Sequence, residues 1–314
     1  MSFRPLFRRL AHGMGLASLA RRHHLDLVVV LMYHGVVPDD EPLAAGDWLQ
    51  VRASEFRMQM AYLAKYYQVC RLDDVLGTQL APPTRPQALI TFDDGYANNL
   101  TVALPILREF QIPASIFLVT GHVGTRRLFW WDRLHLACLG GAPPEPEQVR
   151  ALKARSPRDI KAAVDAYLAA KRLEAPDSAP EAYRVLTREE IGTLAESGLI
   201  EFGSHTHGHE ILENLSAAEA SATLEVSAEK LTHWGLPARH FAAPNGDYTE
   251  AQLGLIQKAG YATCFGTQPG FWRAPQRPYN IPRIGIGRGT NIDQFALQIS
   301  GFSSWLRRKS PNLE

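Results

Sequence analysis

Apolar residues along the chain fall into short, β-branched runs, each followed by a stretch where they recur every three or four positions. The first run, Leu25 to Leu31, predicts a buried strand ending at Met32-Tyr33-His34-Gly35. A polar loop follows through Pro38, Asp39, Asp40 and Pro42, and Ser54 is then placed to cap a helix carrying Phe56, Met60, Leu63 and Ala64 on one face. Tyr67 to Leu72 reads as a second strand and Asp73 to Leu76 as a helical turn. Ala88 to Phe92 is the third strand, Asn98 to Phe110 a helix, and Ala114 to Val119 the fourth strand. The later helices carry start signals. Thr187 with Glu190, Ser216 with Glu219 and Thr249 with Gln252 form capping boxes, and Gly198 and Gly260 end the first and last of these helices. Strands at Leu199 to Gly203, Arg239 to Ala243 and Tyr261 to Phe265 alternate with them, and Ile281 to Ile286 is the eighth.

Strand–helix alternation with no internal repeat implies a parallel α/β fold. About seven or eight strands suggest a single distorted (β/α) barrel, whose chemistry would sit on the loops after the strands' C-terminal ends. Residues 121–185 break the rhythm. They hold Phe129-Trp130-Trp131-Asp132-Arg133, a Gly/Pro-rich stretch from Gly140 to Pro146 and a charged helix around Ile160 to Arg172. This segment has too few apolar residues for a core of its own, so an insertion is expected and not a separate domain. The expected organisation is a basic amphipathic segment over 1–24, the barrel over 25–290 and a C-terminal tail over 291–314.

Composition excludes more than it selects. The chain of 314 residues can bury a sizeable core, and a net charge of +1 gives no argument for a nucleic-acid partner. Cys70, Cys138 and Cys264 are odd in number and far apart, which fits neither a disulfide framework nor a cysteine zinc site. No stretch approaches the roughly 18 apolar residues that span a bilayer. No cleavable signal is recognisable either, so a cytoplasmic or membrane-associated location is expected. At the N-terminus Arg4, Arg8, Arg9, Arg21 and Arg22 interleave with Phe3, Leu6, Phe7, Leu10, Met14 and Leu19, and no acid precedes Asp26. Such a helix either makes a peripheral contact with an anionic membrane surface or packs on the domain.

Two clusters at strand ends carry candidate chemistry. Thr91-Phe92-Asp93-Asp94-Gly95-Tyr96 closes the third strand. Adjacent side chains on a strand point opposite ways, so one carboxylate can hold a cation while its neighbour acts on a water. The same residues also make an ordinary turn with Asp as a helix cap. The fifth strand ends at Ser204-His205-Thr206-His207-Gly208-His209. A helical turn there would place His205 and His209 on one side and His207 elsewhere, and two His with one Asp is a common ligand set for a catalytic divalent metal. The coincidence of the two clusters at strand ends favours a shared metal site. The sixth strand ends at Ala242-Ala243-Pro244-Asn245-Gly246-Asp247-Tyr248, a turn whose backbone N–H groups can hold a developing oxyanion at that face.

From about Leu25 to Ile286, excluding most of the insertion, the chain resembles the NodB-homology polysaccharide deacetylases, carbohydrate esterase family four. Thr91 to Gly95 matches the first motif, which implies Asp93 as general base and Asp94 as metal ligand. His205, Thr206 and His209 match the second, His-Ser/Thr-x-x-His. The third, Arg-x-Pro-Tyr, aligns on Ala242-Ala243-Pro244-Asn245, where Arg has become Ala242 and Tyr has become Asn245. The usual support of the base is therefore missing at Ala242, and Arg283 is a candidate to replace it from its strand-end position. Asn245 keeps the backbone N–H expected to meet the oxyanion. The family's last motif, Leu-x-His, supplies the general acid, but Ile281 to Ile286 contains no His. His34 ends a strand and can supply the same group from the N-terminus, as in the exopolysaccharide branch where motif order is permuted.

The resemblance implies metal-dependent removal of acetyl groups from N-acetylated amino sugars of a glycan. It implies one divalent ion, zinc first, with cobalt, nickel or iron compatible with the ligand set. Trp130, Trp131, Phe271 and Trp272 are candidate sugar platforms, with Tyr33 and Tyr248 nearer the metal. Two other readings stay open: an amidase or deformylase acting on a lipid-linked sugar or small cyclic amide, and a carbohydrate-binding relative with a weakened site.

Overall fold

A computed structural model describes residues 16–22, 25–77 and 83–302. In chain order its strands are β1 Val28–Tyr33, β2 Gly35–Val37, β3 Gln50–Arg52, β4 Gln68–Val69, β5 Gln87–Phe92, β6 Ala114–Leu118, β7 Ile200–Ser204, β8 His240–Ala242, β9 Thr263–Phe265 and β10 Ile284–Gly285. The main sheet is parallel in the order β10-β1-β5-β6-β7-β8-β9. One edge of β5 is shared: β4 pairs with its start at Gln87 and Ala88, and β6 with its end at Thr91 and Phe92. The stretch from Ile281 to Gly285 closes the ring, with Ile281 bridged to Phe265 and Ile284 paired with Leu31. The fold is a distorted (β/α) barrel.

Strand parity sorts the side chains into two layers. Val28, Val30, Leu89, Phe117, Ala242 and Phe265 share one buried cluster. Val29, Leu31, Tyr33, Ile90, Phe92 and Ile116 belong to another, together with residues of helices Ala53–Tyr66 and Leu104–Phe110. Both faces of the strands are thus covered, which is why they read as continuous apolar runs. Thr91 and Asp93 follow the parity of Leu89, away from the helix layer.

The capping boxes at Thr187, Ser216 and Thr249 start helices Arg188–Glu196, Ala217–His233 and Glu250–Lys258. Elsewhere the structure corrects the expectations. Helix Ala53–Tyr66 begins before Ser54. Glu55 accepts the Arg52 N–H at 3.3 Å, and Asp39 accepts the Ser54 N–H at 2.9 Å. The second strand shrinks to β4, because Leu72–Leu76 is helical. The expected loop after His34 contains β2, which pairs with β3 as a separate small sheet. The helix expected from Asn98 opens with a π-helical stretch at Asn99–Ala103 and becomes α-helical at Leu104–Phe110. Pro105 explains this, since it cannot donate to the residue four positions back.

Three helices, Trp130–Ala137, Pro146–Lys153 and Pro157–Lys171, make up much of the insertion. Contrary to expectation they bury a small core of their own, Leu134, Leu152, Val164 and Leu168, flanked by Trp130 and Ile160. A second cluster, Tyr96, Val119, Phe129, Leu136, Tyr183 and Val185, ties the segment to the barrel. The C-terminal stretch is also more than a tail. Asn291 caps helix Ile292–Ile299, which buries Phe295, Ala296, Leu297 and Ile299. Most of the basic segment over 1–24 lies outside the described residues. Its described part, helix Leu16–Arg22, packs on the domain, with the Arg21 guanidinium 4.5 Å from the Tyr66 ring centroid. Among the described residues, no helix is long and apolar enough to cross a membrane.

Candidate active site

The site lies at the C-terminal ends of β1, β5, β7 and β8. Asp93, Asp94, His205 and Arg283 are all buried. Arg283 grips Asp93 in a two-pronged pair, Nη1 to Oδ1 and Nη2 to Oδ2, both at 2.7 Å. The guanidinium is itself held, because Nε donates to the Gly266 carbonyl at 2.8 Å and Nη1 to Thr91 Oγ1 at 3.2 Å. Thr91 in turn donates to the Leu31 carbonyl at 2.8 Å. This planar fork meets a carboxylate better than any other cation in the protein alphabet. Burial alone would raise the Asp93 pKa, but the charge of Arg283, with His205 and His34, leaves it well below the usual carboxylate range.

Asp94 stands in the opposite electrostatic state. Its backbone is left-handed, with φ +70°, and Gly95 follows at φ +75°. A Cβ at Gly95 would come within 2.8 Å of Leu118, so the turn needs glycine for space as well as for conformation. The turn directs Asp94 at the histidine loop. Asp94 Oδ1 lies 3.6 Å from His205 Nε2 and 3.4 Å from His209 Nε2. Both Asp94 oxygens are buried with no hydrogen-bond partner. Burial first, then the neighbouring charge of Asp93, pushes the Asp94 pKa up.

The histidines meet by a different route from the expected helical turn. The segment after β7 is a loop with left-handed residues at Thr206 (φ +63°) and His209 (φ +60°), and the two rings come within 4.8 Å of each other. His205 Nδ1 lies 2.7 Å from the Ala242 carbonyl. A carbonyl only accepts, so Nδ1 carries the proton and Nε2 turns a lone pair toward Asp94. Burial lowers the pKa of both His205 and His209, keeping them neutral. His207 points away, with Nδ1 3.0 Å from Thr120 Oγ1. Asp94, His205 and His209 therefore offer three ligand atoms within 4.8 Å of one another. Two neutral imidazoles and a carboxylate without partners fit a divalent cation.

His34 follows β1 directly, and Asp93 N–H bonds the Tyr33 carbonyl at 3.0 Å. Burial lowers the His34 pKa to about 4, opposed by Asp93 and reinforced by Arg283, His205 and Lys153, and Nδ1 has no hydrogen-bond partner. After β8, Asn245 adopts φ +60°. Thr267 Oγ1 donates to its carbonyl at 2.9 Å, and Lys153 Nζ to its Oδ1 at 2.7 Å. Four strand-end residues that are not glycine (Asp94, Thr206, His209 and Asn245) thus sit in the left-handed region. Such backbone strain, at about 1–3 kcal/mol each, gathers at functional sites.

Of the aromatic candidates, Trp131 reaches the site. Its ring lies 4.4 Å from that of His209, stacks on Phe129 at 4.6 Å, and donates from Nε1 to Tyr96 Oη at 3.1 Å. Tyr33 does not. It faces the helix layer, packs on Phe56 and Phe92, and donates to Gln59 Oε1 at 2.8 Å, because parity turns it away from its neighbour His34. Trp272 lies at the far end of the barrel, where its backbone pairs with Val28 at the start of β1, and Phe271 lines a small cavity at that end with Leu27 and Val29. Tyr248 packs against the cluster of Phe241, Ala243 and Cys264. The sequence reading missed two contributors. Trp48 is 47% exposed, lies against the backbone of Gly285 and Gly287, and is 6.4 Å from the His34 ring. Lys153 comes from the insertion. An aromatic residue in a loop and a lysine in a charged helix carry no signal of their own.

Residues 81–264, more than half of the chain, match the sequence profile of the polysaccharide deacetylase family. The chain is 23% identical over 274 residues to the polysaccharide deacetylase YxkH of Bacillus subtilis (strain 168), covering 86% of this chain and 75% of that protein. It is 24% identical over 302 residues to the poly-beta-1,6-N-acetyl-D-glucosamine N-deacetylase of Escherichia coli (strain K12), covering 86% of this chain but 38% of that protein. Among solved structures, the Streptococcus pyogenes deacetylase PplD superposes with a TM-score of 0.61 at 19% identity, over 87% of this chain and 98% of that one. IcaB from Ammonifex degensii superposes with a TM-score of 0.60 at 20% identity, over 88% and 97%. Both share the barrel fold. With more than half of its length matching the family profile, the chain belongs to the polysaccharide deacetylases, hydrolases of non-peptide carbon–nitrogen bonds.

Proposed function

We propose that this enzyme removes acetyl groups from N-acetylated amino sugars of a polysaccharide or glycan intermediate, using one divalent cation held by Asp94, His205 and His209. The observation that carries this reading is the division of the aspartate pair. Asp93 is locked to Arg283, while Asp94 Oδ1 lies 3.6 Å from His205 Nε2 and 3.4 Å from His209 Nε2, and neither Asp94 oxygen has a hydrogen-bond partner. A bound divalent cation, zinc by the chemistry of its donors, would polarise the acetyl carbonyl and acidify a water.

The chain's own residues do the rest. Asp93, ionised and oriented by Arg283, takes the proton of the attacking water as its oxygen bonds to the carbonyl carbon. The Asn245 N–H, fixed by the left-handed turn, stabilises the negative oxygen that forms. His34 is neutral at rest because burial holds its pKa near 4, so the proton that Asp93 takes from the water passes on to His34, which gives it to nitrogen as the C–N bond breaks and leaves Asp93 ionised and His34 neutral again. Acetate and a free amine result. Arg283 acts on Asp93 and not on substrate, supplying the support that Ala242 cannot.

The E. coli relative's name makes oligomers of β-1,6-linked N-acetylglucosamine the first substrate to try. Metal content and acetate release should be measured together. Stoichiometric metal with acetate released supports the proposal. Bound metal without acetate from any N-acetylglucosamine oligomer would refute it in favour of another amide.

A further inference from the structure

The inserted helices make one wall of a cleft of about 470 Å³ whose other wall is the loop carrying His209. Basic residues line it: Arg127, Arg133, Lys153, Arg155 and Lys161. Only two acids line it, Asp177 and Glu210, and Glu210 is held in place by accepting from the Gly208 N–H and the Thr223 hydroxyl. Arg133 and Lys161 share Asp165. Arg127, Lys153 and Arg155 form no salt bridge among the described residues. The whole chain carries a formal net charge of only +1, so this is a local surplus and not a general surface charge. Lys153 is its inner member, half-buried, with Nζ on Asn245 at the end of β8. Arg155 is exposed at the mouth, and the Asn214 side chain anchors the backbone of both residues by donating to their carbonyls at 2.6 and 3.0 Å. Trp130 and Trp131 supply apolar surface in the same cleft. Five cations against two carboxylates around a concave site beside aromatic faces suit a sugar carrying an anionic group.

We infer that the preferred substrate is an N-acylated amino sugar bearing an anionic substituent, a phosphate ester or a carboxylate, seated in this cleft against Arg155, Arg127 and Lys153 while its acyl group meets Asp94, His205 and His209. This rests on the proposed deacetylation and specifies its substrate class. The insertion is then a specificity element, which places positive charge where the barrel alone has none.

The test uses the metal-loaded full chain at low ionic strength. Turnover of neutral di-N-acetylchitobiose is compared with that of N-acetylglucosamine 1-phosphate and of a disaccharide of N-acetylglucosamine with glucuronic acid. The expected result is a kcat/KM for one charged probe about ten-fold or more above the neutral one. Which probe wins tells phosphate from carboxylate. Arg155→Glu should collapse that ratio, and Lys258→Glu, at the end of a helix outside the cleft, should keep it. Equal kcat/KM for all three probes, or a preference that survives Arg155→Glu, overturns the inference. A binding arm separates the two readings. If no probe is hydrolysed but inorganic pyrophosphate raises the melting temperature of the parent and not of Arg155→Glu, the anionic cleft stands and the deacetylation falls. If neutral oligomers are hydrolysed and pyrophosphate neither stabilises nor competes, the deacetylation stands and the cleft falls.

Discussion

Replacing Arg283 with Met keeps much of its apolar stem and removes the guanidinium. The change deletes two charge-assisted hydrogen bonds of 2.7 Å to Asp93, one of 2.8 Å to the Gly266 carbonyl and one of 3.2 Å to Thr91. Each charge-assisted bond is worth about 1.5–3 kcal/mol, but the cost of burying the guanidinium also vanishes. What remains is a buried Asp93 carboxylate without its partner, for which the expected destabilisation is about 3–5 kcal/mol at pH 7. The pH dependence carries the sharper signature. In the parent the Asp93 pKa is depressed, so its contribution is present above the unfolded value near 3.8 and is lost only below it. In Arg283→Met burial raises the Asp93 pKa, the folded state binds the extra proton above pH 3.8, and the variant gains relative stability as the pH falls. The gap between the proteins should therefore be widest at pH 7 and narrow toward pH 4. Urea unfolding of both, with chelator present so that metal binding does not enter, measures the gap at each pH. A loss under about 1 kcal/mol at pH 7, or a gap independent of pH, would refute the assignment of Arg283 as the counter-charge that holds Asp93.

Asp94→Asn, which tolerates the left-handed backbone at this position, should lose bound metal by elemental analysis, as should His205→Ala and His209→Ala. In chelator, however, Asp94→Asn should melt above the parent, because it removes a carboxyl group that burial and Asp93 drive toward its protonated form at a cost in stability, and whose oxygens have no partner. His34→Gln should keep its metal and lose about 10²–10⁴-fold in kcat for acetate release; near-full turnover in a folded protein would end the general-acid assignment. The His122 ring, stacked on Phe129 at 4.4 Å, has its pKa lowered by burial and by Arg127 to about 4. Its imidazole resonances should stay in the neutral form from pH 8 to 5, and its stabilising contribution should fade only as the pH drops from the unfolded value near 6.5 toward 4; a midpoint above 6 would contradict its packing. Trp48→Ala should raise KM for glycan about five-fold, the loss of roughly 1 kcal/mol of stacking, with kcat nearly unchanged; an unaltered KM would remove Trp48 from the binding surface.

Much of this architecture was legible without coordinates, because its signals are local. The three capping boxes act across three residues, and strand parity needs only a short run of sequence. Errors gathered where a local rule met a non-local one. The His205 to His209 spacing suggested a helical turn, but Thr206 and His209 turn left-handed to bring the same rings together. The insertion read as coreless because its apolar residues are sparse in sequence, yet they meet across three helices. Tyr33 and His34 are neighbours in sequence on opposite faces of the same strand end, and the local text did not say which faced the site.

By itself the sequence determined that the chain alternates strand and helix, that its acidic and imidazole groups fall at strand ends, and that Ala242 leaves Asp93 without its usual support. The first two are statements about residues close together in the chain, where backbone geometry alone sets direction, and the third comes from the likeness of the Ala242 segment to the family's third motif. Only the tertiary structure decided whether the candidate Arg283 stands beside Asp93. Arg283 comes from 190 positions away, on the stretch that closes the ring. Lys153 reaches Asn245 across 92 positions. The pairing of groups so distant depends on ring closure and on the packing of every element between them, and no short-range pattern contains that information.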